Sequence, residues 1–180
     1  MSDQDTIVID TGSEITAIGF AGDDAPMGVF ATVVGLPNKN ASTVTGIATE
    51  VVIGERAEAS RGTHTLIYPV REGSIVGWDE LELVWDHAFT AQLRLGPDER
   101  ADRSLLVSVE PGTSQEDQDR LKELALDTLG FRRVSLQPRP LLSDRAAGHI
   151  EEGDASTYAV WLGGSLLAVS PSFDEWQSRE

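Results

Sequence analysis

Apolar and polar positions first alternate in short β-type runs and later recur at helical spacing. Thr6–Asp10 and Ile15–Phe20 are rich in β-branched and apolar residues on either side of the turn Thr11–Glu14, which predicts a hairpin. Gly28–Val34 continues as a third strand. Gly35–Ile53 is polar and rich in Thr and Asn, with few helix signals, and Glu50–Ile53 and Thr65–Tyr68 read as short strands. Leu81, Val84, Trp85, Ala88, Phe89 and Leu93 then share one helical face, which predicts a helix over Asp79–Leu93, with Asp79 and Glu82 as its capping box. Ser104–Val109 reads as a buried strand. Thr113 with Glu116 opens a second helix whose apolar stripe is Leu121, Leu124, Ala125 and Leu129, closed by Gly130. Arg133–Leu136 predicts another strand, with a short helix after Pro140.

Composition narrows the function classes. The chain of 180 residues is long enough for a real core and carries a formal charge of −16 from 30 acidic and 14 basic residues. That field opposes binding to nucleic acid or anionic lipid, so neither is expected as a partner. There is no Cys and no apolar stretch of membrane-spanning length, which fits a reducing, cytoplasmic setting. His64, His87 and His149 lack ligand spacing, and Glu151, Glu152 and Asp154 lack the alternation of a calcium loop, so no metal site is expected. Arg132, Arg133, Arg139 and Arg145 form a local basic cluster that solvent accounts for by default and an acidic partner accounts for otherwise.

Four blocks, in one order, carry a resemblance. They are I-V-I-D-T-G-S-E-I-T-A-I-G-F-A-G-D-D-A-P from Ile7, R-G-T-H-T-L-I-Y-P-V at Arg61–Val70, G-W-D-E-L-E-L-V-W-D-H-A-F at Gly77–Phe89, and Y-A-V-W-L-G-G-S-L-L-A at Tyr158–Ala168. Together they resemble the actin family, in a form that keeps the outer-domain segments and lacks the central, inner-domain half. The resemblance implies an α/β fold: an actin-like, ribonuclease H-like mixed sheet of five strands with flanking helices. Residues 1–30 and 71–180 would form one domain, and 31–70 a flap insertion. It also implies a helix from about Tyr158 to Val169, although Gly163 and Gly164 locally suggest a turn; paired glycines cost a helix only ~2 kcal/mol, which close packing can offset. Gly148–Thr157 would join the retained pieces.

The family's phosphate hairpin, Asp-Asn-Gly-Ser-Gly, aligns with Asp10, Thr11, Gly12 and Ser13: Asp10, implied to hold metal-bound water, and the phosphate-contacting pair Gly12 and Ser13 match, and Thr11 stands at the Asn. Backbone N–H groups in such a turn can cradle phosphate. Glu14 replaces the next Gly, and Ala17 stands where the family has a phosphate-reaching Lys. A carboxylate ~6 Å from one phosphate charge repels it by roughly 3 kcal/mol at an effective dielectric of ~20. Gln137 aligns with the family Gln that positions water, followed by Pro138 and Pro140. The second phosphate loop, Asp-x-Gly-x-Gly, has no counterpart.

These substitutions lead to the expectation of a non-catalytic assembly or protein-binding module, without a cofactor. Its partner would be another copy of itself or a larger actin-like protein. The alternatives are a polymerising protein with a composite magnesium–ATP site across chains, or one half of a split actin. Expected contacts are Val44 and Ile47 in the flap loop Lys39–Thr49, Leu141 and Leu142 at the seam toward the missing half, and Trp176 as an exposed anchor. Trp78, Trp85 and Trp161 are expected in the core.

Overall fold

The computed structural model describes residues 5–38, 50–147, 149 and 157–178, and the backbone of 42–43 and 46–47. The chain runs β1 (Thr6–Thr11), β2 (Ile15–Phe20), β3 (Gly28–Ala31), β4 (Val34–Pro37), β5 (Ser42–Thr43), β6 (Gly46–Ile47), β7 (Val52–Ile53), α1 (Glu55–Ala59), β8 (His64–Ile67), β9 (Val70–Arg71) and β10 (Ser74–Ile75). It continues with α2 (Trp78–His87), α3 (Pro97–Arg100), β11 (Ser104–Val109), α4 (Gln115–Glu123), β12 (Arg133–Pro138), α5 (Arg139–Ala146), α6 (Ala159–Ala168) and β13 (Gln177–Ser178). A π-helical turn follows α2 at Ala88–Gln92, and another follows α4 at Leu124–Thr128. The largest sheet has six strands in the order β13-β12-β11-β1-β2-β3, with β1, β11 and β12 parallel and β13 antiparallel. This is the expected mixed α/β architecture with one strand more than the five expected. The addition is two-residue β13, too short to leave a periodic signal.

The chain separates into two compact units, residues 1–10, 17–29 and 88–180, and residues 11–16 and 30–87. In the first, Val8, Ala17, Leu106, Leu142, Ala146, Trp161 and Leu167 form a core under α5 and α6. Trp161 Nε1 donates to the Val8 carbonyl at 3.0 Å, so this large ring is buried without an orphaned donor. The glycine pair of α6 has a packing reason. A Cβ on Gly163 would overlap the Leu142 carbonyl, and one on Gly164 would lie 2.8 Å from Val8 Cγ1. Contact between α5 and α6 therefore needs glycine here, and the helix forms as the family pattern implies. Ser165 Oγ donates to the Asp23 carbonyl and accepts from Gly22 N–H, both at 2.9 Å, which ties the Asp23–Asp24 turn to the same helix.

In the second unit β4 lies between β7 and β8, both antiparallel to it, around Val33, Val52 and Ala57. The unit extends past residue 70 because α2 packs on β4 and β7. The expected strand Gly28–Val34 is interrupted. Thr32 N–H donates to the Glu14 carbonyl and Val33 N–H to the Ala31 carbonyl, which ends β3 before a different sheet begins with β4.

Local readings at two helix starts also shift. Ser114, not Thr113, caps α4: its Oγ accepts from Asp117 N–H at 3.1 Å. Asp79 lies inside α2, whose first turn is closed by Leu81 N–H on the Gly77 carbonyl, so Asp79 and Glu82 do not form the expected box. Among the described residues no helix is long and apolar enough to cross a membrane.

Candidate functional site

Parallel strands β1, β11 and β12 place Asp10, Ser108 and Gln137 side by side near their C-terminal ends. Ile9 pairs with Val107, and Ser108 pairs with Gln137. Such strand ends are where open α/β sheets usually carry their chemistry. Asp10 is only 7% exposed. Arg139, the first residue of α5, donates from Nη1 to Asp10 Oδ1 at 2.8 Å and from Nε to Glu110 Oε1 at 3.3 Å. Ser108 Oγ donates to the same Asp10 oxygen. Burial still holds the Asp10 carboxyl above its ordinary range; the Arg139 charge and the Ser108 hydrogen bond pull it down, and Glu110 adds to the rise.

Gln137 is buried as well. Its Nε2 donates to Ser135 Oγ and to Glu175 Oε2, each at 3.0 Å. Pro138 stands just before α5 and Pro140 within its first turn, where a missing N–H costs the helix nothing, so the helix starts at Arg139 rather than after Pro140.

In the second unit the hairpin turn engages its own neighbours. Thr11 Oγ1 accepts from Trp85 Nε1 at 3.0 Å, Gly12 N–H donates to the Ile15 carbonyl at 2.8 Å, and Ser13 Oγ accepts from Gly73 N–H at 3.2 Å. The Glu14 side chain is exposed. Glu72, beside Gly73, is also exposed and sits at φ 48. Ala17, in the first unit, is 1% exposed within the core under α5 and α6, so a Lys at this position would have to displace packed side chains.

A family model described as Actin matches residues 1–152. The chain belongs to the actin family. The match takes in the hairpin, β11, β12 and α5, so Asp10 and Gln137 sit within an actin-family framework, whereas Glu175 and Trp176 lie beyond the matched residues.

The expected interaction residues separate into distinct environments. Leu141 is 48% exposed on α5. Leu142 is a correction: it is fully buried beneath α6 and offers no surface, because successive helical residues point about 100° apart and only one of the two can face out. Trp176 is also corrected. It is half-buried, edge-on to Phe173 at 5.1 Å and stacked with the Arg133 guanidinium at 5.1 Å, rather than an exposed anchor. Val44 and the Ile47 side chain lie outside the described residues. Trp85 and Trp161 are core residues as read from the sequence, whereas Trp78 is half-buried.

Among the partners that the sequence did not reveal are Arg139 for Asp10, Glu175 for Gln137 and Gly73 for Ser13. Only Arg139 left a signal, as a cation two residues beyond a candidate site residue at a strand–helix junction. The other two contacts span 38 and 60 residues. Among the described residues no group of three or more His, Asp or Glu side chains is placed to hold a metal ion.

Proposed function

We propose that this actin-family chain is a non-catalytic assembly or protein-binding module, acting as a homo-oligomer or on a larger actin-like protein. The observation that carries this reading is the engagement of Asp10 by Arg139 at 2.8 Å. In the actin pattern this carboxylate holds metal-bound water, which needs its lone pairs and negative charge available. Here a guanidinium and a hydroxyl already use them. Gln137 is held by Glu175 and Ser135, Ala17 supplies no cation, and Glu14 adds an anion at the turn. These residues fit a magnesium nucleotide poorly.

Exposed Leu141 on α5 is the contact residue that this reading retains among the described side chains. Calorimetric titration with magnesium-ATP tests the non-catalytic half of the proposal. No binding at or below the micromolar range is expected, and a dissociation constant in that range overturns it. Light scattering of the purified chain tests the assembly half. A mass above the monomer that falls with Leu141→Asp supports self-association; a strictly monomeric chain that also fails to bind a cognate actin-like protein overturns it.

A further inference from the structure

The four-arginine cluster seen in the sequence is divided by the fold. Arg139 turns to Asp10 and Glu110, and Arg145 is exposed in the last turn of α5. Arg132 and Arg133 stand together at the start of β12. Arg132 N–H donates to the Arg103 carbonyl, which places the pair beside the start of β11. Several other basic side chains have a carboxylate: Arg56 has Glu50, Arg61 has Glu58 and Lys122 has Asp119. Arg132 and Arg133 form no ion pair among the described residues, in a chain with more than two acids for every base.

The Arg133 head group is already positioned. Its Nε and Nη2 both donate to Ser104 Oγ, at 3.2 and 3.0 Å, and Trp176 covers one face. Two of its five N–H donors are used there, and a guanidinium held this way loses little freedom when it takes an anion. Arg132 is exposed and brings a second charge close by. Burial, and after it repulsion by the adjacent Arg132 charge, holds the Arg133 pKa below its ordinary value. An incoming anion relieves that repulsion. Among the described residues nearby, Arg103 donates to the Glu99 carbonyl and lies over the Phe20 ring, and Glu175 is bonded to Gln137.

We propose that Arg132 and Arg133, braced by Ser104 and Trp176, form a docking site for a carboxylate-rich segment of a partner protein. The inference gives the assembly reading a second contact surface and the chemistry of its partner. A peptide segment fits better than a small ion because exposed Arg132 and half-buried Arg133 are consecutive residues, so a row of carboxylates can meet both. The nearby Trp176 ring can report the contact.

The test uses the full chain and a labelled polyglutamate peptide at low ionic strength, followed by anisotropy and by tryptophan emission. Binding is expected, about tenfold weaker in Arg132→Glu, and screened as salt approaches ~0.5 M. Arg132 is exposed and its side chain has no hydrogen bond or ion pair among the described residues, so this variant should keep the wild-type melting temperature. Arg133→Lys keeps the charge but not the fork, and should weaken binding while leaving Arg132 in place. Absence of peptide binding overturns the proposal, as does binding that Arg132→Glu leaves unchanged. Displacement by inorganic phosphate at equal charge concentration also overturns it, because the site would then be a small-anion site. The nucleotide titration is independent, so failure here and failure of the non-catalytic reading remain distinguishable.

Discussion

Arg139 and Asp10 lie 129 residues apart in sequence and 2.8 Å apart in space, with the acid buried and the base one-quarter exposed. The pair joins the end of β1 to the start of α5, and it uses the carboxylate that would serve a metal in the actin pattern. Burial nevertheless leaves the Asp10 carboxyl with a raised pKa, so the ion pair offsets only part of the desolvation.

Arg139→Met should destabilise the protein by about 1–3 kcal/mol at neutral pH, less than for a fully buried pair because Arg139 touches solvent. The loss should shrink near pH 4, where the unpartnered Asp10 takes up a proton. Denaturant unfolding at the two pH values checks this, and an equal loss at both would count against the role given to Arg139.

Asp10 also sets a pH dependence. Its folded pKa lies above the unfolded value of about 3.9, so between the two the native state binds more protons than the unfolded state. The contribution of this group to stability therefore falls as pH rises through that window. Asp10→Asn lacks the titration. Its stability relative to wild type should increase from pH 4 upward, as read by paired denaturation curves.

His87 runs in the opposite sense. Burial holds its pKa below 6.5, and its ring meets Phe30 edge-on at 5.0 Å. Below about pH 6.5 the unfolded state binds more protons, so the contribution is present at neutral pH and is lost on acidification. His87→Phe keeps an aromatic ring and removes the proton. Its melting temperature should fall less than that of wild type between pH 7 and pH 5.

Neighbouring leucines on α5 should behave differently. Leu142→Asp places a charge in the core beneath α6 and should unfold the protein or cost several kcal/mol. Leu141→Asp should change stability by less than about 0.5 kcal/mol, since its side chain is exposed. Gly163→Ala should cost about 1–3 kcal/mol or more, because its Cβ meets the Leu142 backbone, which cannot rotate away. Thermal melts of the three variants give the comparison.

Much of the architecture was legible from local pattern. The hairpin from Thr6 to Phe20, the strand Ser104–Val109 and the stripe Leu121, Leu124, Ala125 and Leu129 follow from periodicity, because burying one face imposes a repeat on the chain. Family motifs added what periodicity could not, above all that Gly163 and Gly164 sit in a helix. The motifs also marked Asp10 and Gln137 as candidate site residues. Tertiary structure alone decided their surroundings. Hydrogen bonds and ion pairs between distant residues leave no spacing behind, so Arg139 on Asp10 and Glu175 on Gln137 appear only once β1, β12, α5 and the C-terminal segment are assembled. The same holds for exposure: Leu141 and Leu142 are identical in type and adjacent in sequence, and only the approach of α6 buries one of them.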